Sequence, residues 1–582
     1  MKHPYLLVAV LFLSLRLSGQ DGHSPDTALL PAEVLELHLA RTCYFPEEVV
    51  AYALYCTNPL FPELELSRLA FVELISEQNT PLVRQKILLA HGCGAGSFQL
   101  PEDIPSGYYT LLVYTNWLKN FGETAFHRQG LLILSPDQKI VPDKDSSGRP
   151  VETVANQAGK TRSRQGIELH LQKEHYALRE KVNLKIRLDP EEAGRLPGGH
   201  FSLSVRLSEP SLYHKKTEAP SGPLEGITTD KLNYLPDFKG LRLAGTLLNE
   251  SGLALPEAEL ILSMPGPGTL LYHTRTDHSG RFDLLLPAQK GESDLVFTLP
   301  ENQAVIRMDE PYWNGFRAIP SFPALHLDQS AATLLEKRFE LFQVKQRLGQ
   351  ADFLPREEAS REKSRETFYS HPGFTLHMDE YIQLDSLSEY FYELIPSVQF
   401  VQNRVNTEIR VMDPVSFEKI GESPGVFLDG VLYPDYHEIS QIPVGKLDRI
   451  TVLPEVYYYR ELTFGGIVDI HTRASDFSEV RLLPNMARYI LPLSSANTFI
   501  YNPREYSQGG VPDRRPDLRS LLCWDTELFL DASMEKEIHF YTGDVPGEYT
   551  IELCGITSRG KLIRSESRIF VRETGPESPG PE

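Results

Sequence analysis

Five cysteines, Cys43, Cys56, Cys93, Cys523 and Cys554, are the side chains of this 582-residue chain best suited to covalent chemistry. No two have Cys-x-x-Cys spacing, so neither a zinc ribbon nor a thioredoxin-type redox site has support. An odd count leaves at least one thiol unpaired within the chain. Cys523 and Cys554 fall in strand-like segments with 30 residues between them, enough for two intervening strands, and form the candidate disulfide. The other reading is two buried free thiols acting as small hydrophobes. Cys43 and Cys56 sit near opposite ends of a hairpin around Tyr44-Phe45-Pro46-Glu47. A strand of about eight residues at about 3.3 Å each puts such ends beyond disulfide reach.

Metal and catalytic signals are sparse. His273-Thr274-Arg275-Thr276-Asp277-His278 gathers two histidines and an aspartate beside a turn, and reads as exposed turn residues rather than as ligands. Asp379-Glu380-Tyr381 and Asp143-Lys144-Asp145 lack a ligand set at calcium-loop spacing and read as solvated surface. Trp117 and Trp524 read as core anchors. No His-Glu-x-x-His helix, Gly-x-Ser-x-Gly nucleophile elbow or phosphate-cradling loop is expected. The expectation is therefore a non-enzyme with no catalytic, cofactor or metal residues.

The elements that would carry these residues are mostly strands. Tyr (26) and Phe (28) far outnumber Trp (3) and Met (7), a balance that suits pleated, half-buried surfaces. At about 100–200 residues per domain, the length implies roughly three to six domains. A net charge of −21 argues against nucleic acid and against an anionic membrane surface as partners. Lys2 and His3 precede an apolar run over residues 5–15, followed by Ser18-Gly19-Gln20. That pattern predicts a signal peptide over 1–20 and an exported chain, with no transmembrane segment in its mature form.

Residues 31–136 alternate short apolar runs with turns and predict a β-sandwich, and 137–165 reads as a linker. In 166–212, VNLKIRL and FSLSVRL alternate cleanly and predict a second sandwich. Residues 239–312 place Asn-Glu-Ser-Gly and Asp-His-Ser-Gly turns between strands and predict a third. Leu334, Leu335, Phe339, Leu341, Phe342 and Leu348 have helical spacing over 329–349, with Asp328 as a cap. Residues 373–473 read as mixed α/β, with an amphipathic helix over 379–395 and a hairpin turn at Asp429-Gly430. Residues 474–516 are poorly periodic, and 517–572 return to β. The expected class is mainly β: tandem sandwiches of macroglobulin or immunoglobulin type plus a small α/β unit.

Some of these residues resemble known families. GSFQLPEDIPSGYYTLLVYTNWLKNFG (96–122), with CYFPEEVVAYALY before it, resembles a macroglobulin-type domain of Bacteroidetes envelope proteins. IELHLQKEHYALREKVNLKIRL is similar to the opening of a second such domain. The unit 239–312 resembles a carboxypeptidase-regulatory-like, transthyretin-like sandwich. GVFLDGVLY, LDRITVLP and GGIVDIHTR resemble the plug domain of TonB-dependent receptors. LRSLLCWD and IHFYTGDVPGEYTIELCGIT resemble the closing β-domain of the same envelope proteins. No cysteine stands in the Cys-Gly-Glu-Gln thioester motif of macroglobulins. The residues after Arg473 do not read as a transmembrane barrel, so the plug-like unit is expected without its own transporter.

The resemblance implies an envelope binding or scaffold protein at the periplasm, the periplasmic face of the outer membrane or the cell surface. Other envelope proteins are its expected partners, among them an outer-membrane β-barrel engaged in transport or export. The sandwiches are expected to form a rod or arch with hinges at short linkers. The alternatives are an enzyme whose site is assembled between domains without a motif, or, by macroglobulin analogy, an adhesin or peptidase inhibitor.

Overall fold

The computed structural model describes residues 31–59, 61–135, 166–188, 198–209, 232–287, 291–300, 302–315, 329–356, 366–369, 371–402, 407–494, 498–506, 515–531 and 535–573. The expected signal peptide, Asp143-Lys144-Asp145 and Asp328 lie outside them. The fold is mainly β, with sandwiches and one small α/β unit.

The first sandwich sets a sheet of Val34–Leu39, Val49–Thr57 and Cys93–Gln99 against one of Cys43–Tyr44, His127–Ile133, Gly107–Thr115, Leu69–Ile75 and Pro81–Leu88. Strand Val49–Thr57 is buried at all nine positions. Val50, Tyr52 and Leu54 enter the sandwich core, while Val49, Ala51, Ala53 and Tyr55 face Leu521, Trp524, Cys554 and Ile556. Its continuous apolar run therefore serves two interfaces, as strands buried on both faces do.

The second sandwich corrects the expected division of the chain. Strand Gly199–Leu207 pairs with Leu521–Leu530 on one side and Gly547–Thr557 on the other. Lys181–Leu188 pairs with Ile167–Leu171 and with Glu535–Tyr541. Residues 166–212 and 517–572, read from the sequence as separate β-units, thus complete one sandwich between them. The clean alternation of VNLKIRL and FSLSVRL gives each strand a buried face and leaves its hydrogen-bonding edges to be filled from far along the chain.

The third sandwich pairs Gly240–Leu248 with Arg281–Pro287 and Val305–Met308, and Glu259–Met264 with Leu270–Arg275 and Gly291–Thr298. Gly252 and Gly280 take φ near +77° in its turns, the conformation those positions demand. Strand Met486–Ser494, from the stretch read as poorly periodic, adds to Gly291–Thr298.

The α/β unit orders Phe374–His377, Leu447–Tyr459, Leu462–Thr472, Gly425–Leu428 and Val431–Leu432 in one sheet. Asp429 (φ 49°) and Gly430 (φ 83°) form the turn between the last two. The helix expected over 379–395 is shorter, Leu387–Leu394, because Ser386 caps it: its Oγ accepts from the Glu389 N–H. That helix packs on Val398–Gln402, which pairs with Thr407–Val411, and Phe391 stacks on Phe400 at 6.1 Å.

Helix Gln329–Arg347 lays Leu335, Phe339 and Phe342 on Cys43, Phe45, Tyr108, Leu132 and Leu134 of the first sandwich. Arg338, 4% exposed, donates to the Glu48 Oε2 (2.8 Å), the Glu209 Oε1 (2.9 Å) and the Cys43 carbonyl. A hinged rod is not what these interfaces build. The first sandwich packs its outer sheet face on the second, and its core cluster runs on into the third. Asp469 of the α/β unit accepts from Thr269 (2.5 Å) and Tyr369 (2.6 Å), tying that unit to the third sandwich.

Candidate functional site

Strand alternation puts His38 on the outer face of Val34–Leu39, where it enters the seam with the second sandwich. Its Nδ1 lies 2.6 Å from Ser202 Oγ, and its Nε2 lies 3.1 Å from Ser204 Oγ and 3.9 Å from Glu552 Oε2. Serine, histidine and glutamate are the residue types of a nucleophilic triad. Here all of them are buried, both serines at 0% exposure, and both ring nitrogens are taken by hydroxyls. Burial lowers the His38 ring to about 3, only partly opposed by Glu552, so it stays neutral at physiological pH. Burial alone would raise Glu552, but Arg564 and Arg206 overcome this and hold its carboxyl well below the usual range. The constellation is an interface lock.

A cleft of about 430 Å³ opens where the first and second sandwiches part, lined by Tyr52, Gly96, Phe499, Trp524 and Tyr541 among others. Cys523 also borders it, its thiol pushed up to about 12 by burial and therefore not a nucleophile at neutral pH. Trp524 is buried and meets the His38 ring edge-on at 5.2 Å. Trp117 is an anchor, its indole N–H donating to the Pro31 carbonyl at 2.7 Å.

The expected Cys523–Cys554 disulfide does not form. Cys523 is opposite Val205 and Cys554 opposite Ser202, on the two flanks of the same central strand. Two strand spacings of about 4.8 Å, with a three-residue offset besides, exceed any disulfide span. Cys43 and Cys56 are also unpaired and buried.

His273 is not an exposed turn residue. It lies on strand Leu270–Arg275, is 4% exposed, and stands by Glu259 and Glu461 rather than by Asp277 or His278. Asp277 is occupied by its own turn, accepting from Ser279 N, Ser279 Oγ and Arg281 N, which lower its carboxyl to about 2. Asp379 pairs with Arg473 at 2.5 Å on the surface. Gly421-Glu422-Ser423-Pro424-Gly425 does have Gly-x-Ser-x-Gly spacing, against expectation. It leads into strand Gly425–Leu428, and the Ser423 carbonyl accepts from Gly465 N. A nucleophile elbow needs the opposite order, strand then helix.

What sequence reasoning missed is an apolar surface. Ile382 (88%), Val415 (86%), Tyr392 (85%), Tyr458 (74%) and Phe417 (73%) are the large hydrophobic side chains more than 70% exposed among the described residues, and all lie in the α/β unit. Four of them fall within residues 382–417. Ile382 precedes helix Leu387–Leu394, Tyr392 stands on it, and Val415 and Phe417 lie in the turn after strand Thr407–Val411 that the Met412↔Lys419 bridge closes. Tyr392 was within reach of the sequence, because Tyr390 and Phe391 fill the buried face of so short a helix and leave the next aromatic outside.

No family model matches the sequence, and no curated protein matches it. Solved structures similar to it include Salmonella alpha-2-macroglobulin reacted with methylamine (9% identity, 96% of this chain and 41% of that one, TM-score 0.24). Escherichia coli alpha-2-macroglobulin activated by porcine elastase is similar at 11% identity, over 93% of this chain and 44% of that one, TM-score 0.24. The Yersinia pseudotuberculosis adhesin InvE is similar at 6% identity, over 50% and 60%, TM-score 0.12. The chain thus spans less than half the length of these macroglobulins, and scores this low assign neither family nor function. Among the described residues, no helix is long and apolar enough to cross a membrane.

Proposed function

We propose that this chain is a non-enzymatic binding or scaffold protein of the cell envelope, exported to the periplasm or the periplasmic face of the outer membrane. In this reading residues 31–136 and 166–212, the latter joined by 517–572, are macroglobulin-like, 239–312 is carboxypeptidase-regulatory-like, and 373–473 is a plug-like unit that docks on an outer-membrane β-barrel. The observation that carries it is that Ile382, Tyr392, Val415 and Phe417, four of the five large hydrophobic side chains more than 70% exposed among the described residues, fall within residues 382–417 of the α/β unit. Exposed apolar side chains concentrated in one region mark interaction surfaces, and aromatic residues are enriched in them. The packed sandwiches then serve as a rigid mount for that surface.

The test is Tyr392→Asp/Val415→Asp/Phe417→Asp in the full chain, recovered from cross-linked native envelopes with partners identified by mass spectrometry. The expected result is loss of a barrel partner at unchanged thermal stability. Recovery of the same partners at the same yield would overturn the proposal.

A further inference from the structure

The seam between the third sandwich and the α/β unit holds a second set of side chains with no place in that docking surface. Glu259 and His273 lie on paired strands, and the register Glu259↔Arg275, Ile261↔His273 puts all four side chains on the sheet face that meets the α/β unit. Glu461 comes from that unit, at the tip of the hairpin Leu447–Tyr459/Leu462–Thr472. The tip is fixed over the strand: Tyr459 Oη donates to the Leu271 carbonyl (2.6 Å) and Arg460 Nη1 to the His273 carbonyl (2.7 Å). One ligand atom from each of Glu259, His273 and Glu461 falls within 4.8 Å of the others.

The histidine points to a ligand. The His273 side chain is 3% exposed, and its Nε2 has no hydrogen-bond partner. That nitrogen faces Glu259 Oε1 at 3.9 Å, too far for a hydrogen bond. A buried polar atom without a partner is costly and calls for an explanation. Arg275 already bridges the two acids, Nη2 donating to Glu259 Oε1 (2.6 Å) and Nε to Glu461 Oε2 (2.9 Å). This pairing neutralises part of the charge and holds both carboxylates in place. Each carboxylate offers about four lone-pair sites, so Arg275 leaves capacity for a cation. Both glutamates are exposed (47% and 62%), so small side-chain rotations that keep the Arg275 contacts can close the gap.

We propose that Glu259, His273 and Glu461 bind a divalent transition metal of the Zn²⁺ class, clamping the hairpin of the α/β unit to the third sandwich. One imidazole nitrogen with two carboxylate oxygens suits Zn²⁺ and its neighbours, with water in the open position. Calcium is disfavoured, since it takes six to eight oxygens. Arg275 acts as the outer partner that orients the ligating carboxylates. In this reading the metal adds a cross-link between the two units.

The test uses the full chain, stripped with chelator and titrated with Co²⁺ and then Zn²⁺. The expected result is saturable binding of one Co²⁺ with visible absorption bands, displacement by Zn²⁺, and a Zn²⁺-dependent rise in Tm. Glu461→Gln, in an exposed turn, is expected to weaken binding by about tenfold or more with unchanged circular dichroism. His278→Asn is expected to bind as the parent does. Absence of saturable binding overturns the proposal, as does an affinity unchanged in Glu461→Gln, because the metal then sits on other histidines.

Discussion

Glu33 is a carboxylate sealed into the first sandwich with hydroxyls for company. Its Oε2 accepts from Ser67 Oγ at 3.0 Å and Thr115 Oγ1 at 2.5 Å. Burial raises the carboxyl from 4.5 to about 7, and these hydrogen bonds only partly oppose the rise. The folded chain therefore keeps a proton that the unfolded chain releases above about pH 4.5, so this contribution to stability is full at low pH and lost as pH climbs through 7. His38 works in the opposite sense, its neutral buried ring costing stability as pH falls from 6.5 toward about 3. Comparing variant with parent removes the His38 effect. Glu33→Gln is expected to gain on the parent by on the order of 2–3 kcal/mol between pH 5 and pH 8, read from denaturant midpoints. A difference that does not change with pH would contradict this account of Glu33. None of this was legible in the sequence, where Glu33 is one acid in an acidic chain and its burial depends on Ser67, before strand Leu69–Ile75, and Thr115, at the end of Gly107–Thr115, arriving from elsewhere in the chain. The disulfide expectation failed for the same reason. Strand-like segments around Cys523 and Cys554 were visible, but not that Gly199–Leu207 runs between them.

At the scale of elements, helix Gln329–Arg347 was legible, because Leu335, Phe339 and Phe342 repeat at helical spacing and contact one sandwich face. Its electrostatic anchor was not. Arg338 reads as one more charge on a polar face, yet it is buried against Glu48 and Glu209. Burial would lower its pKa, but the two carboxylates outweigh this and raise it. Arg338→Met is expected to cost about 3–5 kcal/mol, since it removes the buried cation that Glu48 and Glu209 share and leaves Glu48 with Arg41 at 3.8 Å. The measurement is the shift in denaturant midpoint together with faster proteolysis of the helix; a loss below about 1 kcal/mol, the range of surface pairs, would contradict the anchor role. Strand Met486–Ser494 shows the other limit. Ala487, Tyr489 and Leu491 do alternate toward the core, but over nine residues containing Pro492 the signal is weak. Its partner strand, Gly291–Thr298, is almost two hundred residues away in sequence.

For the whole molecule, the β class and the strand-bearing stretches were readable from alternation, while the way units share strands was not. Alternation reports which face of a strand is buried and says nothing of which strand fills its edges. The exposed apolar residues of the α/β unit were hidden for a related reason, since Ile382, Val415 and Phe417 look like core residues until the fold leaves them outside. The central claim is that these residues meet an outer-membrane barrel, and the most direct measurement is site-specific photo-cross-linking in intact cells. A photoreactive residue would replace Tyr392 or Val415, with Leu253 and Val305, exposed apolar positions of the third sandwich, as controls. The account predicts adducts with a β-barrel protein from positions 392 and 415 and none from 253 and 305. Equal adducts from all four positions, or none from 392 and 415, would contradict it.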